Sequence, residues 1–410
     1  MKVLQINCVY GSGSTGKITR DIHYALQKNG IESFVCYGRG PETKEENVTQ
    51  VSSNLMSKVR KAVASVNGMP YRFTKWTNRK LEKEIVRIQP DIVHLQCING
   101  YFTDIYRLLH FLKNRKIPTV LSLHGEFMYT GGCGYATDCT QWVEGCQKCD
   151  RLRNGLGIVG LDNVKKNYRL MQQAFEGFED LIIVGVSNWI TDRAKRSKIT
   201  KNAHSMTIYN GIDTAKVFFP REHTQIGEKY GIPEGKKVIL TVVPSLLSEE
   251  KGGKTIIQIA ENHTNEDVVF VIVGANQELE NKPENLILIP YTHGQEELAQ
   301  IYSLADVFVM ASKMDNYPTV CLEANCCGTP VVGFDVGGVA ETIFPGMGEV
   351  VPYGNMEQLL ERCLHWAEKK KDIPSQTISA VLEENSKERM TAEYIALYNK
   401  VLATKKRKDQ

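Results

Sequence analysis

Short apolar segments alternate with helical segments along most of this 410-residue chain, and this alternation restricts the possible folds more than any other feature. The first series begins with VLQIN, followed by a glycine-rich turn and a segment from Ile18 to Lys28 that is predicted to be a helix. It continues through SFVCYG, DIVHLQC, PTVLSLH and LIIVGVS. Strands this short and this apolar are typical of a parallel sheet whose two faces are both covered by helices.

A second series of the same kind begins after Asn210-Gly211 and contains KKVILTVV, DVVFVIVG, NLILIPY, DVFVMAS and TPVVGFD. Between these runs, helices are predicted from Lys254, from Gln295 to Leu304 and from Thr319 to Cys327. The chain is therefore expected to form two doubly wound α/β domains with a cleft between them. Ligands of such sheets bind outside the carboxyl ends of the strands.

The predicted organisation is a first domain over residues 1–205 and a second over 206–385. The remaining segment, 386–410, is expected to form a helix that crosses back to the first domain and ends in a basic tail. The net charge is only +3, so global charge does not indicate a nucleic-acid partner. The N-terminus is too polar for a signal peptide, and no run approaches the ~18 apolar residues of a membrane span, so a cytoplasmic location is expected.

The stretch from residue 47 to residue 81 interrupts the alternation. It contains no acidic residue, and three aromatic residues, Tyr71, Phe73 and Trp76, lie among its cations. One interpretation is a solvated helix face with aromatic residues in the core. The other is a patch that contacts an anionic membrane surface, at the inner face of the plasma membrane, or an anionic lipid-linked acceptor. Its cations are Lys58, Arg60, Lys61, Arg72, Lys75, Arg79 and Lys80.

The segment DNYPTVCLEANCCGTPVVGFDVGGVAE, from Asp315 to Glu341, carries the strongest chemical signal. A strand, a turn and a helix follow one another here, and the start of such a helix can bind a pyrophosphate. Glu323 is predicted to lie about one turn into the helix, where a carboxylate could accept hydrogen bonds from ribose hydroxyls. Gly337-Gly338 predicts a second turn close by.

This order of residues resembles the signature of the retaining glycosyltransferases of family four: an acid, seven residues and a Glu, followed here by CCGTPVV and GGVAE. The resemblance implies the GT-B fold, with two Rossmann-like domains facing an interdomain cleft. Family members usually have Glu at the first acidic position, where this chain has Asp315, so the donor sugar stays open. The implied roles are donor-sugar binding by Asp315, Asn316 and Tyr317, phosphate contacts from Pro318, Thr319 and Val320, and ribose binding by Glu323.

The resemblance extends to other loops. SLLSEEKGG resembles the Lys-Gly turn of the family, which implies that Lys251 stabilises the departing diphosphate, although the Arg that often precedes it is absent here. His124 is implied to donate a hydrogen bond to the donor sugar or to transition-state charge, and Glu126 is a weaker candidate for activating the acceptor. Gly11 and Gly13 are implied to face the donor phosphates. The same loop fits G-x-x-x-x-G-K up to Lys17, but Ile18 replaces the hydroxyl residue that a nucleotide-binding P-loop needs.

Four cysteines lie within 17 residues in TGGCGYATDCTQWVEGCQKC, inside an insertion at about 125–155. The spacing favours a structural zinc site or free thiols over a disulfide. A similar insertion occurs in colanic-acid-type members of the family, which implies a role in acceptor recognition. The cysteines concerned are Cys133, Cys139, Cys146 and Cys149.

The predicted protein is thus a retaining, metal-independent hexosyltransferase. It would use a UDP- or GDP-sugar and a glycan or polyprenyl-diphosphate-linked acceptor in capsule or exopolysaccharide biosynthesis, and the lack of an Asp-x-Asp motif fits this mechanism. Two alternatives stay open. One is a sugar-nucleotide 2-epimerase of the same architecture, and the other is a nucleotide-sugar binding protein without turnover.

Overall fold

The computed structural model describes residues 1–72, 74–248, 250–263, 265–275 and 277–409. The chain divides into two compact units. The first comprises Met1–Tyr209 together with Met390–Gln410, and the second comprises Asn210–Arg389.

Within the described part of the first unit, seven strands form one parallel sheet with the order β3-β2-β1-β4-β5-β6-β7. Its strands are β1 (Lys2–Asn7), β2 (Glu32–Tyr37), β3 (Val48–Gln50), β4 (Ile92–Leu95), β5 (Thr119–Leu123), β6 (Leu181–Gly185) and β7 (His204–Thr207). Its helices are α1 (Gly13–Lys28), α2 (Asn54–Asn67), α3 (Lys75–Ile88), α4 (Ile105–Asn114), α5 (Leu152–Leu156), α6 (Val164–Phe175) and α7 (Asn188–Arg196).

The described part of the second unit contains a six-stranded parallel sheet with the order β10-β9-β8-β11-β12-β13. Its strands are β8 (Lys237–Val242), β9 (Val268–Val273), β10 (Leu286–Ile289), β11 (Val307–Met310), β12 (Val331–Phe334) and β13 (Gly348–Val351). Its helices are α8 (Thr224–Tyr230), α9 (Gly253–Asn262), α10 (Gln295–Leu304), α11 (Thr319–Cys326), α12 (Met356–Lys369) and α13 (Ser375–Glu384).

The predicted α/β class with two doubly wound parallel sheets is confirmed. In each sheet the central strands are buried on both faces: β9 and β5, for example, have no exposed residue. This is why their sequences are continuous apolar runs instead of alternating ones. The strand order reverses between β1 and β4 in the first sheet and between β8 and β11 in the second. At such a point the loops after the two strands diverge and leave a crevice for a ligand.

The last helix, α14 (Lys387–Asp409), packs onto the first sheet through a buried polar network. His94 of β4 lies 2.7 Å from the hydroxyl of Tyr398 through Nδ1 and 2.7 Å from Ser122 Oγ through Nε2. Ser122 also lies 2.8 Å from the hydroxyl of Tyr394. Burial lowers the pKa of His94 to about 3, so the ring stays neutral in the folded protein.

Candidate active site

The turn after β8 brings Lys251 to the edge of the second sheet. The backbone N–H of Lys251 donates to Ser248 Oγ at 3.3 Å. Gly252 follows with φ +80°, and a Cβ at this position would lie 2.3 Å from the carbonyl oxygen of Ala311, directly after β11. Only glycine permits both this φ and this approach, so the Lys-Gly turn is packed against the end of the neighbouring strand.

Asp315 lies in the loop after β11 and pairs with Lys251. The Lys251 Nζ to Asp315 Oδ2 distance is 2.8 Å, and the two side chains are 30% and 18% exposed. A second link joins the same loops, because the N–H of Lys313 donates to the carbonyl of Glu250 at 3.0 Å. The structure therefore brings two predicted site residues together where the strand order of the second sheet reverses.

The Gly-Gly turn holds the backbone of Asp315 in place. The N–H of Gly338 donates to the carbonyl oxygen of Asp315 at 3.0 Å. Gly337 has φ +60°, and a Cβ there would lie 1.9 Å from the same oxygen. The sequence indicated a turn at this place, but nothing in the local pattern showed that it supports Asp315, 22 residues earlier.

The helix α11 begins directly after this loop, with Pro318 as its N-cap and no acidic residue in its first turn. Its start is consequently the positive end of the helix dipole, and the first turn contributes no carboxylate of its own to cancel it. Asn316, Tyr317 and Pro318 are buried, whereas Thr319 and Val320 are partly exposed.

Glu323 lies in the second turn of α11 and is oriented by Tyr302, a residue that sequence reasoning did not identify. The Tyr302 hydroxyl donates to Glu323 Oε2 at 3.1 Å. Tyr302 is fully buried, and burial, followed by the nearby Glu323 charge, raises the pKa of its hydroxyl well above the usual range. The hydroxyl therefore stays protonated and remains a donor to the carboxylate.

In the first unit, His124 follows the carboxyl end of β5 and is held by Gln96, which follows β4. The distance from His124 Nε2 to Gln96 Oε1 is 2.8 Å. Burial lowers the pKa of His124 to about 4. Near neutral pH the ring is uncharged, with its proton on Nε2 toward Gln96, so Nδ1 has acceptor character. This geometry favours acceptance of a hydrogen bond over the predicted donation.

The glycine-rich loop connects β1 to α1 at the same edge of the first sheet. Gly11 and Gly13 have φ +66° and +63°, a region that other residues adopt only with strain. The N–H of Gly11 donates to the carbonyl of Gly16 at 2.9 Å, which closes the loop over the start of the helix.

Glu126 is a structural residue rather than the predicted weaker candidate for acceptor activation. Its carboxylate is fully buried and lies 2.7 Å from Arg193 Nε, 2.9 Å from the Tyr129 hydroxyl and 2.5 Å from the Ala136 N–H. A carboxylate that is fully buried and held by three donors presents no oxygen to an external hydroxyl. Arg193 lies 67 residues away in sequence, so no local pattern could have indicated this ion pair.

Cys133, Cys139, Cys146 and Cys149 line one cavity of about 380 Å³. Burial raises the pKa of Cys133 to about 12 and that of Cys146 to about 11, which keeps both thiols protonated near neutral pH. Among the described residues, no three His, Cys, Asp or Glu side chains converge in a geometry that could hold a metal ion. The shared cavity does not by itself form a zinc site, and zinc binding stays a prediction.

A larger cavity of about 470 Å³ lies beneath α14, bordered by Pro118, Leu181 and Leu397. Pro118 and Leu181 mark the amino ends of β5 and β6. Ligands of parallel α/β sheets bind at the opposite edge, so this cavity is not a candidate active site. No helix in the described part of the chain is both long and apolar enough to cross a bilayer.

Comparison with solved structures identifies the fold. A sucrose-phosphate synthase from Thermosynechococcus elongatus superimposes with a TM-score of 0.69 at 14% identity, over 98% of this chain and all of that one. Anabaena HepE, solved in complex with UDP, gives 0.62 at 14% identity, over 98% and 100%. The chain thus has the GT-B architecture of glycosyltransferases.

Sequence comparison identifies the family. The model of "Glycosyltransferase Family 4" matches residues 15–216, and that of "Glycosyl transferases group 1" matches residues 222–389. The chain belongs to this glycosyltransferase family, as the motifs around Asp315 predict. The glycosyl transferase WcaC of Escherichia coli (strain K12), named for colanic acid biosynthesis, is 22% identical over 383 residues, which cover 88% of this chain and 90% of WcaC.

Proposed function

We propose that this chain transfers a hexosyl unit from a UDP- or GDP-sugar to a hydroxyl group of a growing glycan, with retention of configuration. The observation that carries the proposal is the Lys251–Asp315 pair at the point where the strand order of the second sheet reverses. It combines a fixed cation, an acid that can accept hydrogen bonds from sugar hydroxyls, and a helix start with no acidic residue in its first turn. A nucleotide diphosphate sugar presents complementary groups: two phosphates next to a polyhydroxyl ring.

In the proposed donor complex, the start of α11 and Lys251 bind the diphosphate, and Glu323 accepts hydrogen bonds from the ribose. Because Tyr302 fixes one oxygen of Glu323, the carboxylate is already oriented before the nucleoside arrives. Asp315 accepts hydrogen bonds from hydroxyls of the donor sugar. Its side chain is shorter than the Glu of most relatives, so it favours a donor whose hydroxyl lies closer to the backbone of the loop.

The proposed reaction occurs on one face of the sugar. The bond from the anomeric carbon to the phosphate oxygen breaks while the acceptor oxygen bonds to the same carbon, and the acceptor proton moves to the departing phosphate oxygen. Negative charge accumulates on the diphosphate in this step, and Lys251 and the helix dipole stabilise it. In this scheme no protein side chain acts as a base, so the loss of Glu126 as a candidate does not affect it.

The first unit supplies the acceptor side in this proposal. His124, neutral and with acceptor character at Nδ1, would bind a sugar hydroxyl and would not transfer a proton. The likeness to WcaC, named for colanic acid biosynthesis, supports a glycan or polyprenyl-diphosphate-linked acceptor in capsule or exopolysaccharide synthesis.

The proposal can be tested with a thermal-shift panel of UDP- and GDP-sugars. One donor class is expected to stabilise the wild type, and Glu323→Ala is expected to abolish most of that gain. Glu361→Ala, the same change on the exposed surface of α12, provides the control and should retain the full shift. An equal shift in Glu323→Ala and wild type would contradict the assignment of the ribose site.

Analysis of the products separates transfer from the alternatives. Transfer releases UDP or GDP only when an acceptor is present and forms a glycoside with the anomeric configuration of the donor. An epimerised sugar formed without an acceptor would identify an epimerase. Donor binding with no nucleotide release under any acceptor would identify a binding protein.

A further inference from the structure

Helix α2 exposes its apolar side chains to solvent and buries its small ones. Ser57 and Ala64 are its only buried residues. The helix is nevertheless well formed, because Ser53 accepts from the N–H of Met56 and Gly68 ends it in the left-handed conformation. The exposed fractions of its large apolar residues are 73% for Leu55, 47% for Met56, 50% for Val59, 51% for Val63 and 61% for Val66.

These side chains form one continuous stripe. Leu55, Val59, Val63 and Val66 recur at intervals of three or four residues, which places them on one face of a helix. Ser57 and Ala64 lie on the opposite face, against the protein. A solvent-exposed helix normally has the reverse orientation, with its apolar stripe toward the core. The orientation of α2 is thus typical of a helix whose exposed apolar face binds a partner protein or a membrane.

The apolar stripe extends beyond the helix. The segment after α5 runs alongside the last turn of α2: the N–H of Val159 donates to the carbonyl of Ser65, and that of Leu161 to the carbonyl of Val66, both at 2.8 Å. Val159 and Leu161 are 61% and 65% exposed. We call the seven residues Leu55, Met56, Val59, Val63, Val66, Val159 and Leu161 the α2 apolar patch.

The ionisable residues of this helix and of the stretch around it in sequence are all cationic, and Asp162, beside Leu161, is the acid next to the patch in the adjoining segment. No acidic residue occurs between positions 47 and 81. Lys58 and Lys61 lie on α2 and are exposed. Arg60 instead anchors the helix, donating to the carbonyl of Phe102 at 3.1 Å and to Ser52 Oγ at 3.3 Å. An apolar stripe on a helix whose charged residues are all cations is complementary to a bilayer surface that carries anionic headgroups.

We infer that the α2 apolar patch docks on an anionic lipid bilayer, with its valines and Leu55 inserted at the level of the headgroups and Lys58 and Lys61 facing lipid phosphates. A second copy of the chain fits the patch less well, because an isologous contact would place each lysine pair against its symmetry mate. The inference is independent of the sugar chemistry proposed above.

The structure divides residues 47–81 between the two interpretations, and membrane contact stays a proposal. Tyr71 is a core residue, 5% exposed, with its hydroxyl donating to the Gly132 carbonyl at 2.8 Å. Trp76 is 80% exposed, next to Arg79. Phe73 lies outside the described residues. Tyr71 therefore fits the core interpretation, whereas α2 and Trp76 expose apolar surface, and α2 exposes the larger set of apolar side chains.

The inference can be tested by co-sedimentation of the full chain with vesicles. The vesicles contain phosphatidylcholine alone, or equal parts of phosphatidylcholine and phosphatidylglycerol. The wild type is expected to bind only the anionic vesicles. Leu55→Gln/Val59→Gln/Val63→Gln should bind at least ~tenfold more weakly, because three apolar insertions are lost. Lys58→Glu/Lys61→Glu should lose roughly thirtyfold or more.

A matched control replaces three exposed apolar residues elsewhere, Val86→Gln/Tyr291→Gln/Met356→Gln, and should bind like the wild type. Every substituted position is exposed or at the surface, so the melting temperature of each variant checks that it folds. Equal binding by the α2 apolar variant and the wild type would overturn the inference, as would equal binding of the wild type to neutral vesicles. A wild-type dimer that the apolar variant converts to a monomer, without vesicle binding, would assign the patch to self-association instead.

Discussion

The two units use the same kind of sheet edge in different ways. In the second unit, the loops after β8 and β11 bring opposite charges into contact, Lys251 with Asp315, in a partly exposed place. In the first unit, the side chains directly after β4 and β5, Gln96 and His124, are uncharged near neutral pH and are hydrogen-bonded to each other. The first arrangement suits a charged diphosphate and the second suits uncharged hydroxyl groups. The polarity of the loops at the sheet edge thus indicates which unit suits a charged diphosphate and which suits uncharged hydroxyl groups.

The largest effect on this comparison is expected from removing the cation. Lys251→Ala should lower kcat by roughly two to three orders of magnitude, because loss of a fixed group that stabilises transition-state charge costs roughly 3–4 kcal/mol. Asp315→Asn should behave differently: UDP or GDP alone should bind at least as tightly, since Lys251 loses its competing partner, while kcat falls through the lost sugar contact. Steady-state kinetics and calorimetry measure these two quantities.

Lys236→Ala, an exposed lysine just before β8, provides the control and should leave kcat unchanged. A loss of kcat in Lys251→Ala no greater than in this control would show that the charge contrast between the two units does not concern catalysis.

The next largest effect concerns the backbone that supports the charged loop. Gly337→Ala would place a Cβ 1.9 Å from the carbonyl of Asp315, so the loop must move. We expect a loss of ~3 kcal/mol in the free energy of unfolding, and donor binding weakened tenfold or more. Chemical denaturation and donor titration provide the measurements.

Gly354→Ala is the matched control, because Gly354 also has a positive φ, +84°, but a Cβ there meets nothing within 4 Å. It should lose about 1 kcal/mol from backbone strain alone, with unchanged donor binding. If the two variants were equally stable and bound donor equally well, contact with Asp315 would not be the reason for glycine at position 337.

The elements that the sequence predicted well are those whose signal is local. α10 was predicted with its observed bounds, Gln295–Leu304, and the buried strands were predicted to within one or two residues. The strands β3, β7 and β13 were missed because they are short and largely half-exposed, so they lack a continuous apolar run.

The residues of the candidate site also divide into those with a local sequence signal and those without one. Asp315 and Glu323 could be identified because eight positions separate them on one loop and helix. The Lys251–Asp315 contact spans 64 residues, and Lys251 was named only through family resemblance. The Tyr302–Glu323 bond and the His94–Tyr398 bond, which spans 304 residues, depend on how sheets and helices stack, and no periodicity encodes that.

A third prediction concerns the neutral histidines of the first unit. In the unfolded chain both rings take up protons near pH ~6.5, whereas burial keeps the pKa of His94 at about 3 and that of His124 at about 4. The stability that these two neutral rings contribute is therefore fully present above a pH of about 6.5. It is lost as the pH falls from about 6.5 toward 4. At a pH of about 5, each ring costs roughly 2 kcal/mol.

Denaturant unfolding between these pH values measures the slope. His94→Gln should lower stability at neutral pH, because it breaks the contacts to Ser122 and Tyr398, yet flatten the acid slope. His204→Gln, a change at an exposed histidine of β7, should alter neither quantity. An unchanged slope in His94→Gln would mean that this ring takes up protons in the fold, and the polarity contrast between the units would then rest on His124 alone.

The smallest expected effect refines the comparison inside the second unit. Tyr302→Phe removes only the hydroxyl that orients Glu323, so UDP or GDP binding should weaken about fivefold, the equivalent of ~1 kcal/mol for one hydrogen bond. Because Tyr302 acts through Glu323, the double variant Tyr302→Phe/Glu323→Ala should bind no worse than Glu323→Ala alone.

Tyr106→Phe is the matched control: this hydroxyl is also buried, has no hydrogen-bond partner among the described residues, and lies in the first unit. Its removal should leave nucleotide affinity unchanged, whereas additive losses in the double variant would show that Tyr302 supports the fold of the loop and not the carboxylate.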